Sequence, residues 1–151
     1  MSVKLSKITC RDDIKCFKQI NLYQTIYLPH RCGDSRFQVD AIGKLNILKT
    51  KFIDTMKGES IEGQYLTGKK LIILGNFITK FYFHYGFSSS KVLYQDNSID
   101  FSTFIIVPKE ICKDQPIHIK YLIEDITVAN ISSQKALISA TILLQFVDEY
   151  I

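Results

Sequence analysis

The chain has 151 residues, 46% of them hydrophobic and 23% charged, with a formal net charge of +4. This is the composition of a single globular domain rather than a disordered chain, and no stretch approaches the roughly 20 apolar residues of a membrane-spanning helix. Only 3 of the 19 basic residues are Arg, and no basic face is dense enough to mark a nucleic-acid reader.

Residues 1–19 carry Lys4, Lys7, Arg11, Lys15 and Lys18 against Asp12 and Asp13, so most of the net charge sits in this leader. Its apolar residues follow no clear period, and the reading is a basic arm or a short helix. Its start has no 7–15-residue apolar core of a secretory signal. A single β domain is expected over residues 20–151. In INLYQTIYL, Ile20, Leu22, Ile26 and Leu28 alternate with Asn21, Tyr23, Thr25 and Tyr27, which predicts a half-buried strand ending at Pro29.

PHRCGDSR reads as a turn. Alternation resumes through Phe37, Val39, Ala41, Leu45 and Ile47, with Gly43 as a candidate bulge. Residues 54–68 read as a polar connection, with room for a small hairpin near Gly58-Glu59 or Glu62-Gly63. The long segment KKLIILGNFITKFYFHY puts Leu71, Ile73, Phe77, Phe81 and Phe83 on one face and Ile72, Leu74 and Ile78 on the other. A bend is expected near Gly75 or Asn76, with one end of the strand buried on both faces.

After a turn at GFSSSK, VLYQ reads as a short return strand, followed by a turn at QDNS and a further strand IDFSTFIIV ending at Pro108. IHIKYLIEDITV points Ile117, Ile119, Tyr121 and Ile123 inward and His118, Lys120 and Glu124 outward. ALISATILLQFV closes the chain. Nine or so strands and no ordinary helix give an all-β fold: an antiparallel β-sandwich or partly open barrel, with a short N-terminal arm or helix.

Catalytic signatures are not apparent. There is no GxSxG elbow, phosphate-binding loop or GxGxxG turn, and the three His, at 30, 84 and 118, have no evident partners. Glu124 and Asp125 form the most suggestive carboxylate pair, but adjacent strand residues diverge unless a bulge intervenes. Cys10, Cys16, Cys32 and Cys112 form no CxxC pair, and with His30 they match no standard zinc spacing, so no metal and no cofactor is expected. These cysteines are instead candidates for cross-linking subunits.

The phrases LTGKKLIILGNFITKFYF, IDFSTFIIVP and YLIEDITV, in this order, resemble the SPOCS domain of spore-forming clostridia and their relatives. The matching positions are Gly68, Gly75, Tyr82 or Tyr85, then Phe101, Phe104, Ile105 and Pro108, and finally Ile123, Glu124 and Asp125. YQTIYLP, ending at Pro29, is similar to the family's first strand. The resemblance spans about residues 20–148. It departs where the family often has a proline-and-aspartate phrase, since HRCGDSR supplies Asp34 but no proline.

The resemblance implies a non-enzymatic assembly protein of the spore coat or exosporium. Such a protein would be made in the mother-cell cytoplasm and deposited on the forespore, as a homo-oligomer and with other envelope proteins. Tyr82, His84, Tyr85, Glu124 and Asp125 are its candidate interface. The alternative is a binding module: a β-sandwich recognising carbohydrate or peptidoglycan, or an adaptor for a morphogenetic ATPase of the spore coat.

Overall fold

In the computed structural model, residues 3–9, 15–27, 37–59, 61, 63–85, 92–132 and 134–148 are described. Seven strands account for most of them: β1 (Val3–Lys7), β2 (Phe17–Tyr27), β3 (Phe37–Glu59), β4 (Tyr65–Tyr85), β5 (Val92–Ile106), β6 (Ile117–Asn130) and β7 (Lys135–Val147). They form a four-stranded sheet in the order β1-β6-β7-β2 and a three-stranded sheet in the order β3-β4-β5. The two sheets pack on each other as a β-sandwich, and no helix occurs among the described residues.

The core follows from period-two alternation. Ala136, Ile138, Ala140, Ile142 and Leu144 of β7 are fully buried, and they face Leu71, Ile73, Phe77 and Phe81 of β4, also fully buried. The large rings of one sheet share clusters with the small alanines of the other, so the layers interdigitate without overpacking. Phe52 and Phe146 close one end edge to face, with centroids 5.9 Å apart. Each such buried side chain contributes about 1.5–3 kcal/mol of transfer free energy.

Where β2 meets β5, side chains bridge the two sheets. Asn97 donates from Nδ2 to Gln24 Oε1 at 2.7 Å, and the Phe104 ring lies between the ammonium groups of Lys70 and Lys18, at 4.1 and 4.5 Å.

Several elements differ from the sequence reading. Residues 3–7, read as part of an arm or short helix, are an edge strand, paired in parallel with Ile117–Tyr121. Val3 and Leu5 pack against the core, and apolar residues at alternate positions suit a strand however short. The strand after the leader begins at Phe17 rather than residue 20. VLYQ and IDFSTFIIV are one strand, because β4 is long enough to pair with Val92–Ile106 without a break and holds the polar DNS stretch extended.

The 54–68 connection is largely strand, since β3 and β4 form a hairpin reaching Glu59 and Tyr65; this fits the hairpin the sequence allowed there. The hairpin runs past the end of β5 as a two-stranded ribbon. Its base is held by Thr67 and Lys69, which donate to the carbonyls of Val107 and Ile111, and by the Lys113–Asp54 ion pair.

Gly43 is not a bulge: its register with Thr79 is unbroken. A Cβ there would lie 2.2 Å from the Phe77 ring, so glycine lets the buried ring pass. One irregularity falls at Leu48, between Ile47 and Lys49, directly across from Gly75 and Leu74, and a second lies between Asp54 and Lys57. The bend expected near Gly75 is thus accommodated on the neighbouring strand. Pro29, the 30–36 turn and GFSSSK lie outside the described residues.

Candidate interaction surface

The inner faces of both sheets are consumed by the core, so function must reside on the outer faces, edges and connections. The two outer faces differ in chemistry. On the four-stranded sheet, the outer side chains of β2 and β7 mix polar residues such as Gln19, Asn21, Thr25, Ser139 and Thr141 with Phe17, Leu137 and Leu143, and polar pairs bond across the ladder: Thr141 Oγ1 donates to Asn21 Oδ1 at 2.9 Å. Tyr23 and Tyr27 stand exposed at its β2 edge.

Glu124 and Asp125 lie on this face. A bulge between Ile123 and Asp125 leaves Glu124 unopposed in the ladder, so both carboxylates are exposed rather than divergent. Gln19 Nε2 donates to both Glu124 oxygens, at 3.1 and 3.2 Å, and Thr127 donates to Asp125. Each carboxylate therefore has a partner in its own sheet. His118, read as outward and polar, is buried, with Nε2 2.8 Å from the Ser6 hydroxyl oxygen. That contact joins β1 to β6.

The outer face of the three-stranded sheet is different. Here β4 presents Ile72, Leu74 and Ile78, with Asn76 among them. The sequence reading expected part of this strand to be buried on both faces. Instead, Leu74 is 39% exposed, and Ile42 and Leu48 on neighbouring β3 are 60% and 65% exposed. No described element covers the face, because the four-stranded sheet packs entirely on the other side.

Charge flanks this apolar strip asymmetrically. Across one side, β3 places Lys44, Lys49 and Lys51 in register with Ile78, Leu74 and Ile72. Across the other, β5 places Ser98, Ser102 and Phe104 beside the same three residues, with exposed Asp100 between Ser98 and Ser102 and exposed Asp96 beyond Ser98. Lys80 and Lys70 bound the strip at its two ends along β4.

Tyr82 continues this outer face, half-buried and paired in register with Asp40 and Tyr94. His84 and Tyr85 end β4, and their side chains lie outside the described ones. The five candidate interface residues are thus not one surface: Tyr82 is on one outer face of the sandwich, and Glu124 and Asp125 are on the opposite one. The β4 strip has no local signal of its exposure, because an apolar residue facing solvent and one facing a second layer look alike in sequence.

Cys16 and Cys112 are free thiols, while Cys10 and Cys32 lie outside the described residues. Cys16 turns the chain into β2 with φ 51°, a left-handed conformation that costs a non-glycine residue roughly 1–2 kcal/mol. Its carbonyl accepts from Phe146 N at 2.9 Å, which anchors the turn. Burial pushes its thiol pKa up, Asp148 adds to the effect and Lys15 opposes it. Cys112 is exposed in the connection between β5 and β6.

A cleft of about 470 Å³ opens beside Cys16, lined also by Lys57, Tyr65, Thr67, Pro108 and Glu110. No His lines it. No group of three or more His, Cys, Asp or Glu among the described residues is placed to hold a metal ion. No described helix is long and apolar enough to cross a membrane. Comparison of the chain with protein-family models, curated proteins and solved structures finds no match.

Proposed function

We propose that this chain is a non-enzymatic structural protein of the bacterial spore envelope, coat or exosporium, acting through protein–protein association. The observation that carries the association is the uncovered strip on β4, where Leu74 stands in solvent beside Leu48 of β3, with Ile42 exposed further along the same face, level with Lys80. Contiguous exposed apolar surface of this kind marks an interaction site. The ribbon beyond β5 adds Met56, Ile61 and Tyr65, all strongly exposed.

The envelope setting rests on the SPOCS-like phrases in LTGKKLIILGNFITKFYF, IDFSTFIIVP and YLIEDITV. In this reading the protein is made in the mother-cell cytoplasm, joins copies of itself and other envelope proteins, and is laid on the forespore from outside. Exposed Cys112 then supplies a thiol that can pair with a second thiol once oxidant reaches the assembled layer, releasing two protons and two electrons to that oxidant.

A fluorescent fusion produced in the mother cell of a sporulating clostridium tests this reading. Signal forming a shell around the forespore is the expected result; a diffuse cytoplasmic signal throughout sporulation would count against it.

A further inference from the structure

We infer that the outer face of the three-stranded sheet binds a second copy of this chain, face to face, about a two-fold axis running parallel to β4. This names the partner for the surface on which the assembly reading rests.

The choice of partner and axis comes from the charge pattern. On β3 the outward residues between Ile42 and Ile53 are Lys44, Asn46, Lys49 and Lys51, with exposed Leu48 at the register shift among them. On β5 the outward residues level with Lys44, Asn46, Lys49 and Lys51 are Ser98, Asp100, Ser102 and Phe104, and Asp96 follows one step beyond Ser98, level with Ile42. The face is therefore basic along one side, apolar along the middle and acidic along the other. A two-fold axis along the strands exchanges the two sides, laying β3 of each copy over β5 of the other. Lys44 then lies between Asp96 and Asp100 of the second copy, and Lys49 beside Asp100.

Along the axis, Ile72, Leu74 and Ile78 meet their own counterparts, as an isologous interface requires. The alternative axis, across the strands, would set β3 on β3 and lysine on lysine. Lys80 and Lys70 at the two ends of the strip do approach their own counterparts, but Lys80 is paired in register with Asp96 of its own copy and Lys70 lies on the Phe104 ring, which offset the repulsion.

The polar row Asn46–Asn76–Asp100 crosses the apolar strip in register and opposes sliding of one copy along the other. Sheets packed with aligned strands lie about 10 Å apart and accept this geometry without change of backbone. Three strands about 4.8 Å apart and some ten residues long offer a footprint of roughly 500 Å² per copy, near the lower limit for a specific interface. The dimer should accordingly be reversible and depend on concentration.

The test uses the full chain in reducing buffer, followed by sedimentation velocity over a range of concentrations. Wild type should pass from monomer to dimer as concentration rises. Leu74→Glu should weaken the dimer at least tenfold while retaining the wild-type circular dichroism spectrum, since the side chain is partly in solvent. K44D/K49D and D96K/D100K should each weaken it as well, and an equimolar mixture of the two should restore association.

Orientation is read separately, in a background with the native cysteines replaced by serine. A mixture of K49C and S102C chains should give a K49C–S102C disulfide on oxidation. A K49C–K49C product in its place would overturn the axis. Wild type that remains monomeric throughout, or a Leu74→Glu variant that dimerises as well as wild type, would overturn the proposal. If Leu74→Glu loses the dimer in sedimentation yet still forms a shell around the forespore in cells, the dimer is not what deposits the protein, and the envelope reading stands without it.

Discussion

Gly75 and Phe101 face each other across the β4–β5 ladder, and the Phe101 ring occupies the space that a side chain at position 75 would need. A Cβ at 75 would sit 2.7 Å from the ring and 2.4 Å from the Asn46 carbonyl oxygen. The second contact is the more severe, because it is backbone in a paired strand. Gly75→Ala should therefore destabilise the protein by about 1–3 kcal/mol, the usual cost of overpacking, measured as a lowered urea midpoint. Gly43→Ala should behave alike, since the Phe77 ring it would strike is itself fully buried.

The two faces of β4 should respond differently to truncation. Phe77→Ala opens a cavity in the main core and should cost about 3–5 kcal/mol. Leu74→Ala, three residues away on the opposite face, should change monomer stability by no more than about 0.5 kcal/mol. Chemical denaturation at low protein concentration checks both. A large loss for Leu74→Ala would mean that the outer strip is covered within a single chain.

The thiols should separate by reactivity. Burial holds the Cys16 pKa above that of a free cysteine, so its thiolate fraction near pH 8 is reduced. In variants keeping one cysteine each, Cys112 should react with a disulfide reagent faster than Cys16. The Cys16 rate should keep rising with pH beyond the point where a free thiol levels off. Cys112→Ser should diminish the oxidised cross-links seen on non-reducing gels of assembled protein.

The base of the β3–β4 ribbon has an acid-sensitive tie. The hydrogen bond from Lys113 holds the Asp54 carboxyl below its ordinary pKa, aided by the charges of Lys113 and Lys69. A carboxylate with a depressed folded pKa contributes stability above its unfolded value, and loses it as pH falls through the folded one. Both partners are exposed, so the effect on global stability should be small and screened by salt. Carbon-detected titration of Asp54 should show its midpoint rising in Lys113→Ala.

Much of the sandwich is written in period two. The alternation of β7 from Ala136 to Phe146 and of β4 from Leu71 to Phe81 is visible in the sequence and buried in the structure. Less visible is what depends on a neighbouring strand. QDNS looks like a turn, but β4 holds it extended by pairing Lys80, Thr79, Ile78 and Phe77 with Asp96, Asn97, Ser98 and Ile99. Val3–Lys7 becomes a strand only because β6, more than a hundred residues later, offers it an edge. The bulge at Glu124 decides where two carboxylates point, and no local residue announces it. The outer strip of β4 was legible as Ile72, Leu74 and Ile78, but its exposure was not, since that depends on which side the second sheet takes.

The most direct test of assembly through that strip is zero-length carbodiimide cross-linking of a mixture of ¹⁴N- and ¹⁵N-labelled protein, analysed by mass spectrometry. The account predicts mixed-label links from Lys44 and Lys49 to Asp96 and Asp100, diminished in Leu74→Glu. Mixed-label links confined to other surfaces, or links at these residues only within a single copy, would contradict it.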